Sequence, residues 1–487
     1  MATMSEETGH VDTGTPSDAF VFFGATGDLA FKEIFPALYH LIRDGFDMPI
    51  IGVARSGNLD TLRERAKLSV DALGSSDPET VHRLVSRLRY VKGEIADADT
   101  YRRLRQVLDG SDHPLHYLAV PPSLFSDVVR HLGRSGCAQG ARVIVEKPFG
   151  RDLASARLLN ATLREVFPES AVFRIDHYLG KEPVRNLVYF RFANSFLEPI
   201  WNASHVASFE ITMAEAFGVE ERGAFYDEVG AIRDVIQNHL LQVTSLIAME
   251  PPSGRSPEAL RNAKFKVLDS IRPVDPREVI RGQYRGYRDV TGVEAGSNVE
   301  TFAALRLFID TWRWDGVPFY IRTGKCLPLT MTEVIANLRR PPQGVFSEPT
   351  ARTNYLRFRL GPDIAIGLGT RVKRAGEPMR GKEAELTLAD PKGTELPPYQ
   401  RLIGDAAIGD QELFTRQDAV EAAWRVVDPI LGGATPIHDY EPGTWGPDRA
   451  SRLVLNRARW RVPHPKPGQR FANPTKPTKP TKPTKAD

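Results

Sequence analysis

Between residue 18 and about residue 182 the chain repeats one pattern: a short apolar run, a few turn-forming residues, then a longer amphipathic stretch. The apolar runs are AFVFFG (19–24), PIIGVA (49–54), RYVKGEI (89–95), LHYLAV (115–120) and RVIVEK (142–147). Between them, Asn58 to Leu73 and Asp99 to Leu108 carry apolar residues at helical spacing. A strand that is apolar on both sides needs a cover on both sides. Helices between successive strands supply those covers, so the alternation predicts a doubly wound, parallel α/β sheet of the Rossmann type.

After residue 183 the texture changes. NLVYFRFAN, ASFEITMAEAF, FAALRLFIDTWRWDGVPFYIRT, EVIANLRR, NYLRFRL and IAIGLGT alternate with a period of two, which predicts a large, mainly antiparallel sheet with one covered face. A helical stretch from Ala231 to Met249 interrupts it. The 487 residues exceed what one core usually serves, and the expected division is a nucleotide-binding domain at 18–182 and a larger α+β domain at 183–465. Residues 1–17 are polar, and residues 466–487 end in Pro-Thr-Lys triplets that favour extended chain; both are expected to be disordered.

Charge adds an exclusion. The net charge is +3, and the last fourteen residues, with four Lys and one Asp, account for it; the remainder carries 60 basic and 60 acidic side chains. A neutral body offers no global nucleic-acid footprint. Two cysteines, Cys137 and Cys326, are too few for a disulfide framework, and no apolar run approaches a membrane span. The expectation is a cytoplasmic protein without a membrane partner.

The first strand runs into FVFFGATGDLA, where Gly24-x-x-Gly27-x-x-Ala30 leads into the helical pattern of FPALYHLI. Glycines at this spacing let the backbone approach a pyrophosphate at a helix N-terminus. The next strand ends in GVARSGN. An acid there would hold the ribose 2′-hydroxyl of NAD, whereas Arg55, beside Ser56, suits a 2′-phosphate and points to NADP.

Residues 173–182, FRIDHYLGKE, crowd titratable groups at the end of another apolar run. His177, Tyr178 and Lys181 are donors suited to a phosphate, and Gly180 lets the backbone turn closely; a solvated charged loop reads equally well from these residues alone. On the helix GAIRDVIQNHLLQVTSLIAM, laid out at about 100° per residue, His239 shares a stripe with Ile232, Val235, Ile236, Leu240, Val243 and Ile247. An inward histidine is either a satisfied core residue or a general base kept neutral by desolvation. Asp234 falls about 140° away around such a helix and faces another wall. Asp176 is then the carboxylate to consider as a partner.

GATGDLA, YLAVPPSLF, EKPFG, RIDHYLGKE, RGAFYDEVGAIRDVIQNHLLQ and PFYIRTGKCLP occur in this order. In that set, over roughly residues 18 to 465, the chain resembles the glucose-6-phosphate dehydrogenase family. The resemblance implies oxidation of β-D-glucose 6-phosphate at C1 to the 6-phosphogluconolactone with NADP, the entry step of the oxidative pentose phosphate pathway. It also implies a homodimer or homotetramer.

By the same resemblance His239 is the base and Asp176 its partner. His177, Tyr178 and Lys181 hold the sugar phosphate, and Lys147, Glu215, Asp234 and Lys325 hold the rest of the sugar. The nucleotide is placed against Gly24, Thr26, Gly27, Asp28, Leu29, Arg55, Pro121, Lys147 and Pro148. No metal is implied, since the base supplies the proton transfer and no cluster of His and Cys suggests one.

Three positions depart from the family pattern. Where members often read GDLAKRK, the chain has Phe31-Lys32-Glu33; a Lys five positions beyond the RTGK lysine is Thr330; and a KEPFG-like segment reads AEAFG, without its Pro. Glu33 and Thr330 keep open a dehydrogenase of another anionic hexose such as 6-sulfoquinovose; a silent NADP-binding regulator is a further alternative, against which the retained Asp176, His239, Lys147 and Asp234 count.

Overall fold

The computed structural model describes residues 14–341, 353–388, 396–454 and 460–462. The Pro-Thr-Lys tail at 466–487 and residues 1–13 of the polar N-terminal stretch lie outside them. The chain divides into two compact units. One comprises Met1–Glu182, Pro252–Asn262 and Glu395–Glu421; the other comprises Pro183–Pro251, Ala263–Thr394 and Ala422–Asp487.

Among the described residues of the first unit, six strands form one parallel sheet in the order β3-β2-β1-β4-β5-β6. They are β1 (Ala19–Phe23), β2 (Ile50–Ala54), β3 (Leu88–Lys92), β4 (Pro114–Leu118), β5 (Arg142–Glu146) and β6 (Val172–Ile175). Every residue of β1, β2, β4, β5 and β6 is buried, as two covered faces demand, while the edge strand β3 alternates with exposed positions. The register aligns Phe23 with Val53 and Leu118, Leu118 with Val145, and Glu146 with Ile175. Gly24, Arg55, Ala119, Lys147 and Asp176 therefore leave the sheet along one edge, at the carboxyl ends where doubly wound sheets bind ligands.

One cover comes from far along the chain. The helix Pro398–Ile408 adds Leu402, Ile403, Ala406 and Ala407 to the core formed by Phe20, Phe22, Phe35 and Leu38. Arg142, buried in β5, donates to the Ala407 carbonyl, the Ser17 hydroxyl and the Thr15 carbonyl, which ties both segments to the sheet.

In the second unit nine strands, among the described residues, follow the order β14-β13-β12-β11-β7-β10-β9-β8-β15. They are β7 (Val206–Ala214), β8 (Val279–Tyr284), β9 (Phe302–Leu307), β10 (Phe319–Gly324), β11 (Met331–Leu338), β12 (Tyr355–Gly361), β13 (Ala365–Lys373), β14 (Gly381–Leu388) and β15 (Ile437–Tyr440). The pairs β7–β10 and β8–β15 are parallel, the others antiparallel. No helix among the described residues is long and apolar enough to cross a membrane.

One expected strand is a helix. All of NLVYFRFAN but its last residue, Asn194, lies within the helix Glu182–Ala193, whose buried positions Pro183, Val184, Leu187 and Arg191 follow helical spacing. The inward position at 191 is an arginine, which breaks the apolar stripe and leaves a misleading alternation. Its guanidinium is satisfied by donating to the Leu246 and Met249 carbonyls.

Candidate active site

The turn after β1 is built for close backbone approach. Gly24 has φ +81°, and a Cβ there would stand 2.2 Å from the Ala119 carbonyl oxygen. The Gly24 amide donates to Val53 O, and the Gly27 amide closes the turn onto Gly24 O. Thr26 and Asp28 are exposed beside it and Leu29 is half-buried. Asp28 makes a 3.7 Å surface pair with Lys32. Pro121 is exposed where β4 gives way to a short 3-10 turn.

Arg55 is exposed at the end of β2 and lines a cavity of about 650 Å³ with Tyr90, Lys92 and Arg103 among its other walls. The Tyr90 hydroxyl donates to the Ser56 carbonyl at 2.6 Å and fixes the loop that carries Arg55. A cradle that a side chain would fill after β1, with an exposed arginine after the adjacent strand β2, fits a dinucleotide.

At the ends of β5 and β6, Lys147 and Pro148 are half-buried, and Asp176 is 1% exposed. The Tyr178 amide donates to Asp176 Oδ1 at 3.0 Å, so the carboxylate shapes the turn that presents the following residues. Lys181 Nζ lies 3.9 Å from the centre of the Tyr178 ring, and the His177 ring stacks on Tyr399, with 13° between their planes. Three donors gathered on one tight turn have the chemistry to bind an anion. Gly180 has an ordinary φ, and its lack of a Cβ serves packing: Leu402 and Pro398 O would meet a Cβ at 3.2 Å. Arg401 braces the turn by pairing with Glu182 at 2.8 Å.

Sequence reasoning missed the residues beneath this edge. Glu146, the last residue of β5, is 8% exposed and accepts from the Tyr117 hydroxyl at 2.5 Å; Tyr399 also hydrogen-bonds to it. Burial pushes its carboxyl up to about 7, against the lowering effect of the two hydroxyls. Burial also raises the half-buried Glu33. The signal available was an acid inside an otherwise apolar strand, RVIVEK.

In the second unit the parallel pairing of β7 with β10 does the positioning. Ala214 stands opposite Gly324, so the residues that follow, Glu215 and Lys325, emerge side by side. Lys325 Nζ lies 2.5 Å from Glu215 Oε2, with the Phe217 and Tyr226 rings 5.0 and 5.3 Å from the ammonium. Burial holds the Tyr226 hydroxyl well above its usual range, with the charges of Asp234 and Glu215 adding to the effect. Two departures from the family pattern meet here: the Ala216 amide donates to Thr330 Oγ1 at 3.0 Å, a bond that a proline at 216 could not make.

The helix bearing His239 corrects the sequence geometry. Ile232–Leu240 is a π-helix, continued by an α-helix over Leu241–Ala248. Its backbone closes between residues five apart, which brings Asp234 and His239 much nearer one face than 100° spacing places them. Nearly all of its side chains are buried, His239 at 3% exposed, so no single apolar stripe exists. Gly230, at φ +70°, precedes the helix. Glu300, paired with Arg281 at 2.9 Å, accepts the Ile232 amide on its carboxylate and the Ala231 amide on its carbonyl. Sequence reasoning missed this buried brace as well; the chain carries Glu300 in a loop far from the helix it caps.

Comparison with known proteins matches residues 21–186 to the family described as glucose-6-phosphate dehydrogenase, NAD binding domain. Residues 188–461 match glucose-6-phosphate dehydrogenase, C-terminal domain. Glucose-6-phosphate 1-dehydrogenase 1 of Mycobacterium tuberculosis is 43% identical over 92% of this chain and 97% of its own. The cytoplasmic isoform of glucose-6-phosphate 1-dehydrogenase from Solanum tuberosum is 38% identical over 90% of this chain and 91% of its own. Among solved structures, the glucose-6-phosphate 1-dehydrogenase of Mycobacterium avium superposes with a TM-score of 0.87 at 44% identity, covering 93% of this chain and all of the other. A glucose-6-phosphate dehydrogenase in complex with its substrate gives 0.83 at 36% identity, over 91% and 98% of the two chains.

Proposed function

The chain belongs to the glucose-6-phosphate dehydrogenase family, and from that premise we propose which of its residues do the work and that NADP is its nucleotide. It is an enzyme that oxidises glucose 6-phosphate at C1 to the 6-phosphogluconolactone. The observation that carries the assignment of roles is the Glu215–Lys325 pair, a charged pair beside aromatic rings at the ends of two parallel strands. Such a pair binds sugar hydroxyls by offering both an acceptor and a donor.

A pyridine nucleotide, when bound, supplies the hydride acceptor. Gly24, Thr26, Gly27, Asp28, Leu29 and Pro121 are assigned to its diphosphate and ribose, Lys147 and Pro148 to its nicotinamide end, and Arg55 to a 2′-phosphate. The exposed guanidinium of Arg55 supports NADP over NAD, because a 2′-phosphate needs a cation where a 2′-hydroxyl needs an acid.

His177, Tyr178 and Lys181 hold the sugar phosphate. Lys147, Glu215, Asp234 and Lys325 orient the ring. His239 takes the proton from the C1 hydroxyl, and Asp176 stabilises the imidazolium that forms. Burial of both side chains supports these roles, since charge stabilisation is stronger away from water. The chain acts in the cytoplasm, as a homodimer or homotetramer, at the start of the oxidative pentose phosphate pathway.

Reduction of NADP and of NAD, followed by absorbance with glucose 6-phosphate and separately with 6-sulfoquinovose, tests the reading. Fast reduction of NADP with glucose 6-phosphate is expected. Preference for the sulfonated sugar would transfer the assignment to that substrate, and binding of NADP without turnover on either would make the chain a regulator.

A further inference from the structure

Beneath the edge that carries Lys147 and His177 lies a buried carboxyl, bonded to two tyrosines, with no role in the reaction as described. Glu146 sits immediately before Lys147, and its carboxyl accepts from Tyr117 of β4 and bonds Tyr399 of the helix Pro398–Ile408. Tyr399 in turn carries the His177 ring stacked on its face. Glu146 therefore adjoins the ring-orienting lysine in the chain, while its carboxyl bonds the support of the phosphate-binding histidine. We propose that Glu146 is a positioning residue: clamped between the two tyrosine hydroxyls, it sets where the Lys147 ammonium and the His177 ring stand, and its charge state tunes the grip on the anionic sugar. The proposal rests on the glucose 6-phosphate reading.

The surroundings decide which charge states are in play. Lys147 adjoins the carboxyl and favours its ionised form; Glu33 acts with negative charge on both tyrosines, and Asp176 on Tyr399. Position 33, where family members often carry a base, holds a half-buried acid. With burial raising its pKa to about 7, Glu146 is mostly protonated below neutrality and ionised above it. The protonated form is neutral and exerts no pull on the Lys147 ammonium. On ionisation the proton passes to solvent, and the carboxylate then competes for that ammonium and repels the sugar phosphate.

The test is calorimetric titration of the full chain with glucose 6-phosphate, without nucleotide, between about pH 6 and pH 8.5, for the wild type and Glu146→Gln. The glutamine imitates the neutral acid. As pH rises through about 7 the wild type should lose roughly three- to tenfold in affinity relative to the variant. Titration of the sugar phosphate itself cancels in this ratio. Parallel profiles, with binding and turnover intact, overturn the proposal alone; absence of binding by the wild type at every pH overturns the substrate reading and the proposal with it. Should Glu146→Gln fail to fold, Tyr399→Phe decides. It keeps a ring for His177 and removes one hydrogen bond to the carboxylate, so the midpoint of the wild-type pH dependence should move to higher pH; an unmoved midpoint overturns the proposal.

Discussion

Lys325 and Glu215, 110 residues apart in the chain, meet at 2.5 Å because β10 and β7 run parallel within an otherwise mainly antiparallel sheet. Parallel neighbours end on the same side, so the residue after each strand faces the residue after the other. Both side chains are largely buried, at 11% and 25% exposed, and removing either leaves the other charge without its partner. Lys325→Met should lower kcat/KM for glucose 6-phosphate by roughly 10- to 100-fold, the loss of about 1.5–3 kcal/mol from a charged hydrogen bond. The double variant with Glu215→Gln should lose much less than the product of the single losses; simple multiplication would mean that the two act separately.

His239→Asn keeps a polar side chain of similar reach and removes the base. Turnover should fall by roughly 10²- to 10⁴-fold while calorimetric affinity for glucose 6-phosphate stays within about threefold. A fall in turnover of less than tenfold would exclude His239 as the base.

Arg55→Ala should weaken NADP by roughly 10- to 100-fold and leave NAD nearly untouched, since only the former carries the 2′-phosphate. Quenching titrations with both reduced nucleotides measure this, and equal losses would take the 2′-phosphate away from Arg55.

Gly24→Ala places a methyl group 2.2 Å from Ala119 O on a backbone with φ +81°. Strain and clash together should cost roughly 2–4 kcal/mol and abolish nucleotide binding. A thermal transition unchanged from the wild type would show that the turn can rearrange.

His116 gives a pH dependence of the fold itself. It is fully buried in β4, with Nε2 2.7 Å from the Cys137 carbonyl, and burial pushes its pKa down to about 4. The unfolded chain takes up this proton near pH 6.5, where the folded chain does not. The stability is therefore present above about 6.5 and is lost as pH falls towards 4, by up to about 3 kcal/mol. Denaturant unfolding of the wild type and His116→Phe at both ends of that range should show their difference change by this amount, and a constant difference would assign acid instability to other groups.

The parallel sheet of the first unit was legible from its apolar runs, though the cover supplied by the helix Pro398–Ile408 was not. Apolar runs such as AFVFF are buried along their whole length, and Gly24 takes the positive φ that its place after a strand suggests. These features depend on neighbours within a few positions: the burial period of a strand and the steric freedom of glycine are local properties. Arg191 shows where local reading fails, because a buried arginine at an inward helix position erases the stripe on which recognition of a helix depends.

What the tertiary structure alone decided depends on contacts between distant segments. Glu300 caps the π-helix that changes the angle between Asp234 and His239. Tyr399 reaches the edge of a sheet whose last strand ends more than 200 residues earlier, and there bonds Glu146. Lys325 finds Glu215 only through the register of two strands. A sequence window records which side chains can be hidden; which hidden charges face each other is set by strand order and register, and these are fixed by the packing of the whole unit.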